Sequence, residues 1–211
     1  MTPVLQLNGD FSPIRIVGWE HATELVLDGK AMVVESIPEK YIRSERLVLP
    51  WPSVIALKRY RTIKGKVKFS GKNVILRDSG KCSYCGCAPK LYDGRIDKEF
   101  LTLDHVVPRA QAKDGVVFLP WSRKWVNVTS WENATTACKN CNTRKADRTP
   151  GQAGMNMTSF PRHPTQNDIM RISLAKVKNV PVSWEQYLPG AVLAACESGN
   201  DEIDVLNARR A

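Results

Sequence analysis

Cys82-Ser-Tyr-Cys85, Leu101-Thr-Leu-Asp104-His105-Val-Val-Pro108, Trp131-Glu-Asn133 and Thr136-Ala-Cys138-Lys-Asn-Cys141-Asn142 follow one another in one stretch of the chain, and their order decides how it is read. Two residues between cysteines let one tight turn aim both thiolates at a single ion, and two such turns supply the four ligands of a tetrahedral Zn²⁺. One C-x-x-C pair is weak, because it also suits a redox dithiol. Two pairs flanking other chemistry are strong. Residues 86–137 separate them, far more than in a simple zinc ribbon, so the pairs are expected to pin together the ends of a structural unit. Cys87 beside the first pair leaves a second choice open, as ligand in place of Cys85; otherwise Cys87 and Cys196 read as free thiols.

Between the pairs, Thr102, Asp104 and Val106 point to one side of a strand, Leu103 and His105 to the other. Neighbouring Asp and His still serve one site where a strand ends, and Pro108 marks such an end. Asp104 offers a hard oxygen ligand for Mg²⁺, and His105 is the side chain best suited to deprotonate water near neutral pH. A lone Asp-His is more often structural, and a lone Asn is usually a turn or cap residue. The joint order inside the cysteine pairs argues for a site.

The stretches CSYCG, LTLDHVVPR, WEN and TACKNCNTRKADRTP resemble the HNH endonuclease family of bacterial and phage type, and a looser likeness extends from about residue 4 to 164. The resemblance implies an α+β chain, with a ββα-metal (HNH) core clasped by a four-cysteine zinc site of Cys82, Cys85, Cys138 and Cys141. An N-terminal mixed β/α extension would precede it. His105 would be the general base, and Asn133 would orient it from the loop between the two strands. Asp104 and Asn142 would hold a catalytic Mg²⁺ or Mn²⁺, while the zinc would stay structural. Arg144 and Lys145, a turn or less beyond Asn142, become candidates for phosphate contact. The implied reaction is hydrolysis of DNA phosphodiesters, by nicking or double-strand cleavage, to 5′-phosphate and 3′-hydroxyl ends. The resemblance also implies a phage setting beside the terminase and portal of a packaging machine, to which the residues themselves do not point. Rival readings are a non-catalytic zinc-knuckle DNA-binding protein and an RNA nuclease.

The chain departs from the simplest family pattern at residues 111–130, which lengthen the connection between the two strands. Phe118, Trp121 and Trp125 lie there beside Arg123 and Lys124, which suits DNA contact by stacking and charge. The competing reading is a loop whose aromatics pack on the domain. Residues 58–81 form a basic run with Asp78 as the single acid, and Tyr60 and Phe69 interleaved. Leading directly into the first cysteine pair, it favours phosphate contact over a merely solvated face, with Lys64, Lys66, Lys68 and Arg77 as the candidates.

Working outward, residues 1–70 read as a β-rich extension, 71–160 as the nuclease domain, and 161–211 as a partly helical extension with a frayed end. Val4–Leu7 and Ile14–Val17 are expected strands around the Asn8-Gly9-Asp10 turn. Glu20–Asp28 is an expected helix with Ala22, Leu25 and Val26 on one face and Gly29 as its stop. Ala31–Val34 and Leu47–Leu49 look extended, Pro50 and Pro52 close the section, and Ile169–Lys178 is an expected helix. The 211 residues are 43% hydrophobic and carry a formal net charge of +10, so the chain can bury a core and suits a polyanionic partner. No apolar run suits a membrane span and no secretory leader is evident, so the expected location is the cytoplasm, the host's if phage-encoded. The sequence leaves monomer and dimer open.

Overall fold

A computed structural model describes residues 2–62, 67–92 and 94–190. They fall into two compact units, one of residues 2–62 with 166–190, the other of the remaining residues between 67 and 165. In the first unit, β1 (Pro3–Leu7), β2 (Pro13–Gly18), β3 (Ala31–Ser44) and β4 (Leu47–Leu57) form a sheet in the order β2-β1-β4-β3. β1 and β4 are parallel, from Leu5↔Val54 to Leu7↔Ala56, and the other pairs are antiparallel. Both faces of this central pair are covered. Leu5, Leu7, Val54 and Ala56 pack with Met170 and Leu174 of α4 (Gln166–Leu174) and with Trp184 of a 3₁₀ helix (Val182–Tyr187). Val4, Ile55 and Leu57 face the other way, against Ala22, Leu25 and Val26 of α1 (Trp19–Leu27). Two-sided burial explains why these strands are continuous apolar runs rather than alternating ones.

Two expectations change here. Pro50 and Pro52 lie inside β4 instead of ending it, opposite Tyr41 and Ser36. They are tolerated because β1 pairs only with the later part of β4, so the prolines occupy an edge where no ladder donor is missed on that side. The register of β3 slips there, and Glu39 adopts a left-handed φ of 58°. The second change concerns the tail. Residues 166–190 return to the N-terminal sheet instead of standing as a separate extension, and Gln166 Nε2 donates to Ile14 O.

The second unit begins with α2 (Gly71–Arg77), capped by Ser70, whose Oγ accepts from Asn73 N. β5 (Leu101–His105) pairs antiparallel with β8 (Ala134–Cys138), in register from Leu101↔Cys138 to His105↔Ala134. β6 (Val116–Leu119) and β7 (Lys124–Asn127) form a separate hairpin between them. α3 (Lys139–Lys145) follows β8 at once, with Cys138 as its N-cap. Ile75, Cys82, Tyr84, Leu101 and Ala137 share one core cluster, and Val74, Trp131 and Ala134 another.

Arg77, a candidate for DNA contact by its place in the basic run, is only 3% exposed. Its guanidinium meets both Asp78 oxygens, at 2.7 and 3.1 Å, and donates to the carbonyls of Trp131, Ala134 and Arg162. Asp78 Oδ2 in turn accepts from Thr136 N at 2.9 Å. Arg77 therefore ties α2 to the start of β8 and is not available to phosphate. A planar fork with five donors suits such a buried junction.

Candidate active site

The sulfur atoms of Cys82, Cys85, Cys138 and Cys141 all lie within 4.8 Å of one another. Four thiolates at about 2.3 Å from one tetrahedral ion stand about 3.8 Å apart, and Cys85 Sγ is 3.8 Å from Cys138 Sγ. The cluster thus has the donor set and spacing to hold zinc. The first turn closes through Gly86 N to Cys82 O and Cys82 N to Cys87 O, with Gly86 at a φ of 74° that glycine adopts without strain. Ser83 N donates to Thr136 O, which ties this turn to β8. The backbone amide of Cys87 chiefly lowers the Cys85 thiol to about 6, toward the thiolate a metal takes.

Asp104 and His105 end β5, and Asn142 lies on α3. All three line one open polar cleft of about 470 Å³. Asp104 is buried, and both its oxygens are engaged: the Tyr84 hydroxyl donates to Oδ2, and Lys145 Nζ lies 3.0 Å from Oδ1. Burial, followed by the Asp104 charge, pushes the Tyr84 hydroxyl above its ordinary range, so it stays protonated and donates. His105 is half-buried, with Nε2 3.2 Å from Thr129 Oγ1. Burial first, then the Arg109 charge, lowers its pKa below 6.5 despite the opposing pull of Asp104. The imidazole is therefore neutral at pH 7 and able to accept a proton.

The donor set fits a hard cation. Asp104 and Asn142 bring a carboxylate and an amide to the cleft lining, and Asp147 adds a second carboxylate. Each carboxylate oxygen has about two acceptor sites, so Tyr84 and Lys145 leave coordination capacity on Asp104. Lys145 nonetheless competes for the same oxygen. Sequence reasoning placed Lys145 among the phosphate contacts, but it is 1% exposed and also donates to His105 O at 2.8 Å. It is an internal partner of the site.

Asn133 is fully buried and does not touch the His105 ring. Its Oδ1 accepts from Val107 N at 2.8 Å, and its Nδ2 donates to Val107 O and Val128 O. Its own carbonyl accepts from Val106 N. Its contacts fix the backbone that leaves β5, directly after His105. Of the other expected DNA contacts, Lys68, Arg123, Lys124 and Arg144 are exposed, while Lys64 and Lys66 lie outside the described residues. The lengthened connection is the β6–β7 hairpin. Val117 and Leu119 are buried with Val107, whereas Phe118 and Trp125 are exposed as a ring pair 5.6 Å apart. Trp121 instead stacks on Phe160 at 5.3 Å. The packing reading holds for Val117, Leu119 and Trp121, while Phe118 and Trp125 stay exposed.

Sequence reasoning missed Tyr84, Thr129, Arg109 and Asp147. Tyr84 stands inside the first cysteine pair, and Arg109 one residue past Pro108. Their proximity to recognised motifs was the available signal. Among the described residues no helix is long and apolar enough to cross a membrane.

Residues 4–65 match the family model described as HNH endonuclease-associated, N-terminal domain, which supports a relationship to the HNH endonucleases. The match lies ahead of every residue of the cysteine cluster and the cleft. No curated protein and no solved structure gives a significant match to the chain.

Proposed function

We propose that the chain is a metal-dependent DNA endonuclease of the HNH type, with β5, β8 and α3 as its ββα-metal core and the four cysteines as a structural zinc site. The observation that carries this reading is the convergence of Asp104, His105 and Asn142 on one polar cleft beside the cysteine cluster. With the Nε2 proton donated to Thr129, the Nδ1 lone pair of His105 takes a proton from water as that oxygen bonds to phosphorus. The P–O3′ bond breaks, and the leaving oxygen takes a proton from solvent, giving 5′-phosphate and 3′-hydroxyl ends. Asp104 and Asn142 would hold Mg²⁺ or Mn²⁺, which stabilises negative charge on the phosphate and the leaving oxygen. Arg109, exposed on the cleft wall, is placed to pair with a phosphate. The cysteine site takes no part in the reaction, because four thiolates leave a zinc ion no open position.

The second reading, a zinc-knuckle DNA-binding protein without catalysis, draws on the engagement of both Asp104 oxygens by Tyr84 and Lys145. One experiment separates the two. Supercoiled plasmid is incubated with the purified chain and Mg²⁺, Mn²⁺ or no added divalent ion, beside His105→Ala. Nicked or linear product that needs the ion and falls about 10²–10⁴-fold in the variant supports the nuclease. DNA retention without cleavage by the parent supports the binding protein. A phage setting and packaging partners follow from the resemblance alone and are tested by whether the gene lies beside terminase and portal genes.

A further inference from the structure

The N-terminal unit carries a cleft of its own, of about 410 Å³, for which the reaction has no use. Arg15, Lys30, Lys58, Arg59 and Arg61 line it, together with the apolar side chains of Leu25 and Leu57. The five cations come from separate places in the chain: β2, the start of β3, and the segment that leaves β4. We propose that this cleft is a second DNA contact, which grips the phosphodiester backbone; this rests on the DNA reading above.

The basic segment is held in place by buried groups. Asn8, itself buried, donates from Nδ2 to Arg61 O at 2.9 Å and accepts from Arg61 N on Oδ1 at 2.8 Å. Gly9 lets that segment pass, because a Cβ there would come within 2.7 Å of Tyr60 N. Lys58 N donates to Lys30 O, which fixes two of the lysines relative to each other. Arg15 is oriented by its Nε–H bond to the Oε1 of Gln6, a residue 1% exposed on the cleft floor. A solvated charged face has no need of such anchoring.

Charge then selects the ligand. Asp28 pairs with Lys30 at 2.7 Å, and Glu24 pairs with His21, whose ring lies 3.4 Å from Arg15. Among the described residues no carboxylate lines the cleft itself. Five cations offset by one paired acid exceed the charge of a single phosphate monoester, about −2 at most. They suit a chain of phosphates, with the apolar side chains of Leu25 and Leu57 available to sugars.

The test uses the full chain without added Mg²⁺ or Mn²⁺. A labelled duplex is titrated by fluorescence anisotropy across a KCl series, comparing the parent with the triple variants Arg15→Gln/Arg59→Gln/Arg61→Gln and Arg15→Lys/Arg59→Lys/Arg61→Lys. Each phosphate contact contributes about −0.9 to the slope of log K against log salt, so the Gln variant should be shallower by up to about 2.7. The Lys variant keeps the charge and should stay near the parent. Matching melting curves exclude misfolding as the cause. A Gln variant with the parent's slope overturns the proposal, as does a Lys variant that loses as much as the Gln variant. Displacement of the duplex by equimolar pyrophosphate or ATP overturns it in favour of a small-ligand site. Plasmid cleavage, run separately, keeps the two claims apart. Cutting with an unchanged slope refutes the cleft alone, and a cleft-dependent slope without cutting refutes the nuclease alone.

Discussion

Lys145→Met asks what holds the Asp104 carboxylate in place. Lys145 is 1% exposed, and its ammonium bridges Asp104 Oδ1 at 3.0 Å and His105 O at 2.8 Å. Methionine keeps a flexible unbranched stem but removes the charge and both donors. The carboxylate, 6% exposed, would retain only Tyr84 among these two partners. Breaking a buried ion pair by deleting one partner costs about 3–5 kcal/mol where nothing compensates. Here Tyr84 remains and Asp104 opens on the cleft, so the expected loss is about 2–3 kcal/mol.

Urea unfolding of the zinc-loaded chain in Mg²⁺-free buffer reads this out. With a slope of about 1–3 kcal/mol per molar urea, the midpoint should fall by roughly 1 M or more. Added Mg²⁺ should then restore part of the loss, because a cation at Asp104 takes over the role of the ammonium. A ligand at ten times its Kd stabilises by about 1.4 kcal/mol. The parent should gain less, since its own ammonium already occupies Oδ1. Equal midpoints for parent and variant without Mg²⁺, or equal gains on adding it, would refute this account of the site.

Asn133→Ala strands the buried amide and carbonyl of Val107 and the partly buried carbonyl of Val128, so stability should fall by about 2–3 kcal/mol; a midpoint within experimental error of the parent's would contradict it. Elemental analysis should find one zinc per chain, and a chelator should release α3 and the Cys138 end of β8, which amide hydrogen exchange would report; a metal-free chain with full protection there would sink the zinc site. Cleavage should depend on neutral His105. Burial and Arg109 hold the folded pKa below 6.5, so activity should persist below that pH and be lost as pH falls through the lowered value. The sign is the same for stability, because the unfolded chain protonates this histidine first as pH falls. A single-turnover pH profile with its acid limb above 6.5 would count against the assignment.

What could be read from the sequence was local. β1, β2 and α1 are visible as short apolar runs, a turn and a helical face, each set by neighbours within a few residues. Asp104, His105 and the two cysteine pairs are visible because spacing alone constrains their geometry. The β3–β4 hairpin was legible only at its ends, since Pro50 and Pro52 read as terminators until their edge position is known. The return of residues 166–190 to the first sheet has no local signal; it depends on Met170, Leu174 and Trp184 meeting strands more than a hundred residues earlier. Arg77 and Lys145 were misassigned for one shared reason. A basic residue in a basic stretch is usually solvated, and only the fold reveals that each is itself buried and meets a carboxylate, at 2.7 and 3.0 Å.

These anchors explain how the cysteine site, outside the proposed reaction, would still bear on it. Cys138 caps α3, with its sulfur accepting from Cys141 N at 3.4 Å. Cys141 adjoins Asn142, and Lys145 follows within the same short helix. Seven residues are too few to hold a helix on propensity alone, so α3 depends on its cap and its packing. The cysteine cluster supplies that cap. The helix then delivers Asn142 to the cleft and Lys145 to Asp104. His105 is fixed from the other side, through Thr129 and the backbone that Asn133 clamps. Loss of zinc should therefore displace Asn142 and Lys145 together while leaving the Asn133 clamp intact. Chelation and Lys145→Met should consequently be less than additive in stability, whereas chelation and Asn133→Ala should add.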